Sequence, residues 1–215
     1  MSTNVGFIGS GEVTAALAPH LTTADVPVLI SNSRGPASLT NLVTELGDHA
    51  EAVTVSEAAN ANLVVLALPF VRVPELADTV IDWTGRIVVD ATNQYAHYTP
   101  VYSGYVDLGE KTGSERVARH LRGATVIKAF NAMYADYLRP SPRHREGRQV
   151  VFYAGDDTGA CARFDKLIDR VGFAPVPVGG LREGGKLMQL GGPLNALHVL
   201  KQDSPVASDG QGGGM

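Results

Sequence analysis

The apolar positions of this chain fall into short runs separated by stretches of helical spacing. Val5-Gly6-Phe7-Ile8, Val26 to Ile30, Ala52 to Val55 and Asn62 to Leu68 read as strands, followed by Arg86 to Asp90 and Thr125 to Phe130. The run from 62 to 68 is almost uninterrupted, the pattern of a parallel strand covered on both faces. Between the strands, apolar residues recur with helical spacing through Ala15, Ala16, Leu17 and Leu21. A second helix starts at Pro36, passes through Leu39, Leu42, Val43 and Leu46, and stops at Gly47. Ser56-Glu57 opens a shorter helix, and Ser114–Leu121 reads as another. Further on, Gln149 to Ala154 reads as a strand, Asp156-Asp157 as a helix cap, Cys161 to Val171 as an amphipathic helix and Ala174 to Val178 as a short strand. A last apolar helix is expected over Lys186–Leu200, bent or restarted at Gly191-Gly192-Pro193. This alternation predicts an α/β fold: a doubly wound, mostly parallel sheet with six strands in the order 3-2-1-4-5-6. Residues 1–201 are expected to form one domain, with about 148–201 as a short C-terminal α/β extension. Residues 202–215 are expected to be a flexible tail with little to bury.

The connection after the first strand carries the first chemical signal. Gly9-Ser10-Gly11-Glu12-Val13-Thr14 lies between a strand and a helix, which is where a dinucleotide-binding βαβ unit places its glycine turn. Gly9 allows the tight turn and Gly11 lets the backbone approach a pyrophosphate. The helix N-terminus adds free N–H groups and a partial positive charge. Thr14 stands where the third glycine of the pattern is expected, so the helix must sit slightly further from the strand. The second strand ends in Ser31-Asn32-Ser33-Arg34. A carboxylate there would accept bonds from a ribose 2′-hydroxyl; two hydroxyls, an amide and a guanidinium suit a 2′-phosphate instead. The pattern predicts a Rossmann-type site for NADP(H).

Composition narrows the function class. The chain has 215 residues, 44% of them hydrophobic, and a net charge of −4. No basic stripe exists to follow a nucleic acid. No apolar run approaches membrane-spanning length, and no signal region is visible at the N-terminus. Cys161 is the sole cysteine, so no disulfide framework is possible, and it is expected to serve as a small buried hydrophobe in the cytoplasm. His20, His49, His97, His120, His144 and His198 fall in no metal-ligand spacing, so no metal site is expected.

In open parallel sheets the chemistry sits outside the carboxyl ends of the strands. Here these ends supply Gly9, Leu68-Pro69-Phe70, Thr92-Asn93 and Phe130-Asn131-Ala132. Pro69 keeps the backbone extended where it would pass the nicotinamide ribose. The amides of Asn93 and Asn131 suit ribose hydroxyls, the carboxamide or a second substrate, although local capping would also account for them. Asp90 is expected to orient the loop after its strand; for Lys128 the sequence favours neither a structural nor a chemical role. There is no nucleophile elbow, and no TGxxxGxG with a later YxxxK. A dinucleotide without an obvious general acid suits hydride exchange between two redox rings, where alignment and exclusion of water carry the catalysis.

Gly9-Ser10-Gly11, Ser31 to Pro36, Ala67-Leu68-Pro69-Phe70, Asp90-Ala91-Thr92-Asn93, Lys128-Ala129-Phe130-Asn131 and Gly191-Gly192-Pro193-Leu194 resemble the NADPH-dependent deazaflavin (coenzyme F420) reductases, also called F420-dependent NADP oxidoreductases. The likeness runs to about Leu200. It implies NADP held by Ser10, Gly11, Glu12 and Val13 at the turn, with Ser31, Asn32, Ser33 and Arg34 on the 2′-phosphate. It further implies Pro69, Phe70 and Ala132 along the nicotinamide, a deazaflavin packed near the C-terminal helix, and a homodimer. Two features are the chain's own: the tyrosine-rich stretch 94–113, with Tyr95, Tyr98, Tyr102 and Tyr105, and the lack of a basic cluster for the deazaflavin's acidic tail.

The residues therefore leave three functions open. One is hydride transfer between NADP(H) and a deazaflavin. Another is reduction of a small carbonyl, imine or flavin with a loop tyrosine as proton donor. The third is a non-catalytic NADP(H)-binding or sensing protein. The four tyrosines serve as lid, proton donor or packing according to which holds.

Overall fold

The computed structural model describes residues 3–80, 82–99 and 101–202. β1 (Val5–Ile8) turns at Gly9 into α1 (Glu12–Thr23), and β2 (Val28–Ser31) follows. A 3-10 turn at Pro36–Leu39 leads into α2 (Thr40–Leu46), so the helix expected from Pro36 begins as the tighter form. β3 is Ala50–Ala52, earlier than the expected 52–55. The shift has a local cause. Thr54 caps α3 (Val55–Ala58) through a reciprocal pair of bonds with Glu57, and this capping box takes the chain out of the extended form.

β4 (Leu63–Leu66) and α4 (Val73–Thr79) lead to β5 (Ile87–Asp90). The stretch read as a polar loop then forms a small hairpin, β6 (Tyr95–His97) and β7 (Ser103–Tyr105), with Tyr95 opposite Tyr105. α5 (Gly113–His120), with its own capping box at Thr112 and Glu115, precedes β8 (Thr125–Ala129). The parallel core runs β3-β2-β1-β4-β5-β8, which is the expected order 3-2-1-4-5-6.

Strand pleating sorts the side chains onto two faces. Phe7, Val65, Val89 and Ile127 face one core, shared with α1 residues Leu17 and Leu21. Ile8, Val64, Leu66 and Val88 face the other, with Trp83, Val117 and Leu121. Asp90 pairs in register with Lys128 on β8, so the period-two rule puts both polar side chains on this second face.

The remaining elements are α6 (Ala135–Leu138), β9 (Arg143–His144), β10 (Gly147–Gly155), α7 (Thr158–Arg170), β11 (Ala174–Pro177), α8 (Glu183–Met188) and β12 (Leu200–Lys201). β10 joins the sheet antiparallel to β8, with Tyr153 opposite Ala129, and β11 lies parallel on its far side. Cys161 on α7 is only half-buried, less than expected; burial and the neighbouring Asp165 raise its thiol's pKa.

The helix expected over Lys186–Leu200 is not formed. α8 starts earlier and ends at Met188. Gly191 takes φ +80, and a Cβ on Gly192 would lie 2.5 Å from the Leu187 and Lys186 carbonyl oxygens, so the chain folds tightly back on the helix end. It then runs as turns to β12, which pairs antiparallel with β10. Of the expected tail, all but Gln202 lies outside the described residues.

Close approach of α3 to the sheet depends on Gly6, where a Cβ would lie 2.0 Å from the Ala58 carbonyl oxygen. Gly6→Val is expected to cost about 1–3 kcal/mol through forced backbone movement. At about 2–4 °C per kcal/mol for a chain of this size, thermal melts should show a drop of several degrees. An unchanged melting temperature would contradict this packing.

Candidate functional site

A cleft of about 1230 Å³ runs along the carboxyl ends of the parallel strands. Its first wall is the turn after β1. Gly9 has φ +115, and a Cβ there would meet the Ala67 carbonyl oxygen at 2.0 Å, so this turn requires glycine. Gly11 is different: nothing lies within 4 Å of a Cβ built on it, so its hydrogen faces open cleft. Gly11 is also the N-cap of α1 and brings no side-chain cap, which leaves the first N–H groups of the helix free for an anion. Thr14 is fully buried and its hydroxyl donates to the Gly9 carbonyl at 2.7 Å. The residue in the third-glycine position thus braces the turn.

The loop after β2 is tied to this turn by one side chain. Asn32 Nδ2 donates to Ser10 Oγ at 3.1 Å and to Ser38 Oγ at 3.0 Å, while its Oδ1 accepts from the Arg34 backbone N–H at 2.9 Å. Ser33 and Arg34 are exposed at the cleft wall, and among the described residues the Arg34 guanidinium has no protein partner. Ser31 departs from expectation. It is fully buried, its hydroxyl donates to the Phe7 carbonyl at 2.8 Å, and it is absent from the lining.

The middle of the cleft is shaped by a buried ion pair. Lys128 Nζ donates to Asp90 Oδ2 at 3.1 Å and also to the Thr92 carbonyl. Asp90 Oδ1 accepts from the Thr92 N–H and hydroxyl at 2.9 and 2.6 Å, and Oδ2 accepts from Ser114 Oγ at 2.6 Å. Burial pushes the Lys128 pKa down, and Asp90 offsets part of the shift. Asp90 therefore orients the strand-end loop, and Lys128 is its counter-ion.

That loop presents Asn93, which meets Asn131 across the ends of β5 and β8. Asn93 Nδ2 donates to the Asn131 carbonyl at 3.0 Å; Asn131 Nδ2 donates to Asn93 Oδ1 at 3.2 Å and to the Met188 carbonyl at 2.8 Å. Asn131 is 5% exposed, and its Oδ1 has no partner. The preceding Phe130 holds φ +65, a left-handed conformation costing of order 1–3 kcal/mol for such a residue. Its buried ring, set edge-on to Phe164 at 5.9 Å, keeps it there.

The hairpin β6–β7 supplies an aromatic wall. Tyr95 stacks with Tyr102 at 5.4 Å and with Tyr105 at 6.0 Å, and Tyr98 lies edge-on to both Tyr95 and Tyr102. Tyr95, Tyr98 and Tyr102 line the cleft, and Tyr105 does not. The Tyr98 hydroxyl donates to the Asn93 carbonyl at 2.6 Å and accepts from the Phe70 N–H at 2.7 Å. Burial pushes its pKa up to about 12. Its proton is committed to the fold.

The structure thus brings Gly9, Ser10, Gly11, Glu12, Val13, Asn32, Ser33, Arg34, Leu68, Pro69, Asn93, Asn131 and Ala132 into one cleft. Phe70, like Ser31, lies outside the lining; its side chain is buried in the second core. The sequence did not single out Thr54, Val55, Arg72, Leu76 and Thr79, which line the same cleft. Nor did it single out Tyr134, Asp136, Leu190, Asn195 and Ala196. The capping-box pattern Thr54-x-x-Glu57 was a readable signal for the first group. The last three residues arrive only because the chain folds back after α8, where the Ala196 N–H donates to the Ala132 carbonyl at 2.8 Å. Among the described residues no group of three or more His, Cys, Asp or Glu side chains forms a metal-ligating cluster.

Residues 4–94 match the family described as NADP oxidoreductase, coenzyme F420-dependent. A solved structure of a hypothetical protein from Sinorhizobium meliloti is 38% identical, with 93% of this chain and 96% of that one covered and a TM-score of 0.86. A candidate F420-dependent NADP-reductase from Arthrobacter sp. FB24 is 21% identical over 83% of this chain and 86% of its own, with a TM-score of 0.70. The reductive aminase of Aspergillus terreus, in complex with NADPH and ethyl levulinate, shares the fold at 19% identity and a TM-score of 0.65. The match covers 89% of this chain and 60% of that longer one. No curated protein sequence matches the chain.

Tyr98→Phe is expected to cost about 1–3 kcal/mol by stranding the Phe70 N–H and the Asn93 carbonyl. Because its folded pKa lies above the ordinary tyrosine value of 10.0, at about 12, the stabilisation is complete below pH 10 and lost as pH rises toward 12. Denaturation of wild type and variant across that window should show the difference between them shrinking. A constant difference would contradict the assignment.

Proposed function

Because this chain belongs to the NADP oxidoreductase, coenzyme F420-dependent family, we propose that its cleft aligns NADP(H) with a flat second redox ring, a deazaflavin, for direct hydride exchange. Membership makes it an NADP-linked oxidoreductase; the identity of the partner, the residue roles and the assembly are our reading. The observation that carries this reading is the uncapped, glycine-lined start of α1 facing an unpaired Arg34 across one loop.

Each part of the cleft then has a task. The free N–H groups at Ser10 to Val13 hold the pyrophosphate, and the open space at Gly11 allows the close approach. Asn32 sets the distance between that turn and the loop holding Ser33 and Arg34, which take the 2′-phosphate. Thr54, Val55, Leu76 and Thr79 form the slot beside them for the adenine. Leu68 and Pro69, with Asn93, Asn131 and Ala132, line the nicotinamide end. When bound, NADP(H) supplies or accepts a hydride: NADPH, oxidised partner and one proton give NADP+ and the two-electron-reduced partner. The protein's share is alignment and exclusion of water, for which the tyrosine hairpin forms the outer wall.

The two bonds on the Tyr98 hydroxyl favour this reading over a reductase that protonates its substrate from that residue. Tyr95, Tyr102 and Tyr134 also face the cleft, and a carbonyl or imine reductase protonating from a tyrosine would have to use one of them. A homodimer is part of the proposal, supported by the exposed Val101, Tyr105 and Tyr137, which lie outside the cleft lining. So is a cytoplasmic setting, for which the single cysteine is the support. No helix among the described residues is long and apolar enough to cross a membrane.

Arg34→Ala removes a charge-assisted contact worth about 1.5–3 kcal/mol. Its NADPH dissociation constant is expected to rise tenfold or more, while that for NADH stays nearly unchanged. Fluorescence titration of both dinucleotides decides it. Equal loss for the two, or wild-type protein that holds NADH as well as NADPH, would overturn the 2′-phosphate assignment.

A further inference from the structure

The uncapped start of α1 carries a carboxylate where the proposed function needs an anion to sit. Glu12 follows the Gly11 N-cap directly, is the first residue of the helix, and lines the cleft. In the first turn of a helix such a charge is favourable by itself. Beside a pyrophosphate held by the same N–H groups, it is a like charge and opposes binding. Asp136 on α6 adds a second carboxylate to the lining. Arg34 and Arg72 are the only arginine or lysine residues in the described lining, and Arg72 is already paired with Glu75 at 2.9 Å. Neither of them is bonded to Glu12 or Asp136.

One side chain outside the lining answers both carboxylates. Arg139, the residue that closes α6, donates through Nη2 to Glu12, and its Nε lies 3.5 Å from Asp136 Oδ1. The side chains of Arg139 and Glu12 are 41% and 73% exposed, so their pairing adds little to stability. Nor does α6 need it for docking. Leu138 is fully buried in the core that Leu17 and Leu21 of α1 share, and His20 Nε2 donates to the Leu138 carbonyl at 2.6 Å. Two independent contacts therefore hold α6 against α1, and what Arg139 adds is a positive charge at the glycine turn.

Resting on the NADP(H) reading, we infer that Arg139 completes the pyrophosphate subsite: its guanidinium cancels the Glu12 charge beside the free N–H groups of α1. Arg139 is a positioning residue that acts through Glu12. Its effect falls on the part of the ligand that NADH and NADPH have in common, whereas Arg34 acts on the 2′-phosphate that only NADPH carries. A mechanical latch between α6 and α1 would behave differently, since breaking it from either side would do the same harm. A charge effect has a sign: losing the cation weakens binding and losing the carboxylate strengthens it.

Fluorescence titration of NADPH and NADH against the full chain and its variants tests this. Arg139→Gln is expected to raise both dissociation constants about fivefold, the scale of one uncompensated charge near water, with their ratio unchanged within twofold. The loss should shrink in high salt, where exposed charges are screened. Glu12→Gln breaks the same ion pair yet should lower both constants, about twofold to fivefold, and adding it to Arg139→Gln should recover most of the lost affinity. Arg139→Lys, which keeps the charge, should bind within about twofold of wild type. Weaker binding in both single variants would make the pair a latch and overturn the inference. A loss confined to NADPH, a loss indifferent to salt, or no change in any variant would overturn it as well. Should Arg139→Gln fail to fold, the direction of the Glu12→Gln change decides alone. Wild-type protein that binds neither dinucleotide defeats the function proposed above, whereas binding of both with these variants silent defeats only the role of Arg139.

Discussion

A carboxylate with no access to solvent holds the middle of this molecule together. Asp90 ends β5, pairs in register with Lys128 on β8, and takes bonds from Thr92 and from Ser114 at the start of α5. Removing two charges from water costs several kcal/mol per ion, recovered only where the geometry is good and the remaining lone pairs are satisfied. Here both carboxylate oxygens accept bonds and the ammonium donates two, so the pair tolerates burial and specifies one arrangement of two strands, a helix and a loop. That loop carries Asn93, whose contacts with Asn131 and Tyr98 decide where the floor and the aromatic wall of the cleft stand.

The cleft built around this pair is chemically divided. At one end lie the uncapped N–H groups of α1 and Arg34, with Arg72 paired to Glu75; at the other, tyrosine rings and asparagine amides line the wall. A dinucleotide with an extra phosphate is strongly anionic at its adenosine end and nearly apolar at its nicotinamide ring, and on the proposed reading this polarity orients it. The aromatic end carries little charge of its own. On the proposed reading, hydride exchange between two rings needs contact and dryness more than proton transfer, and the hairpin, whose Tyr98 hydroxyl is already engaged twice, would supply both.

Strain is concentrated at the same place. Phe130 and Ala196 are two of three non-glycine residues with positive φ among those described; Phe130 precedes the cleft residue Asn131, and Ala196 lines the cleft itself. Such conformations persist where surrounding packing over-determines them. For Phe130 that packing is the buried contact with Phe164; for Ala196 it is the bond from its N–H to Ala132. Both hold segments against the cleft that an unstrained chain would carry elsewhere.

The order of the parallel strands, the glycine turn and the Ser33–Arg34 corner were legible in the sequence, because each rests on local rules: apolar periodicity, conformational freedom at glycine, and the charge expected beside a phosphate. Ser31 and Phe70 misled for a physical reason. Alternation along a strand end decides whether a side chain faces cleft or core, and one residue of register reverses the answer. The hairpin at 95–105 was hidden because tyrosines in a polar stretch have no periodicity until they stack on one another. The fold-back after α8 depends on a carbonyl cluster that only glycine fits at Gly192. The chain's own pattern thus determined the scaffold and the glycine-turn end of the cleft, since those depend on neighbours close in sequence. The tertiary structure alone decided the aromatic end, whose walls come from segments some 40–100 residues apart and exist only where packing brings them together.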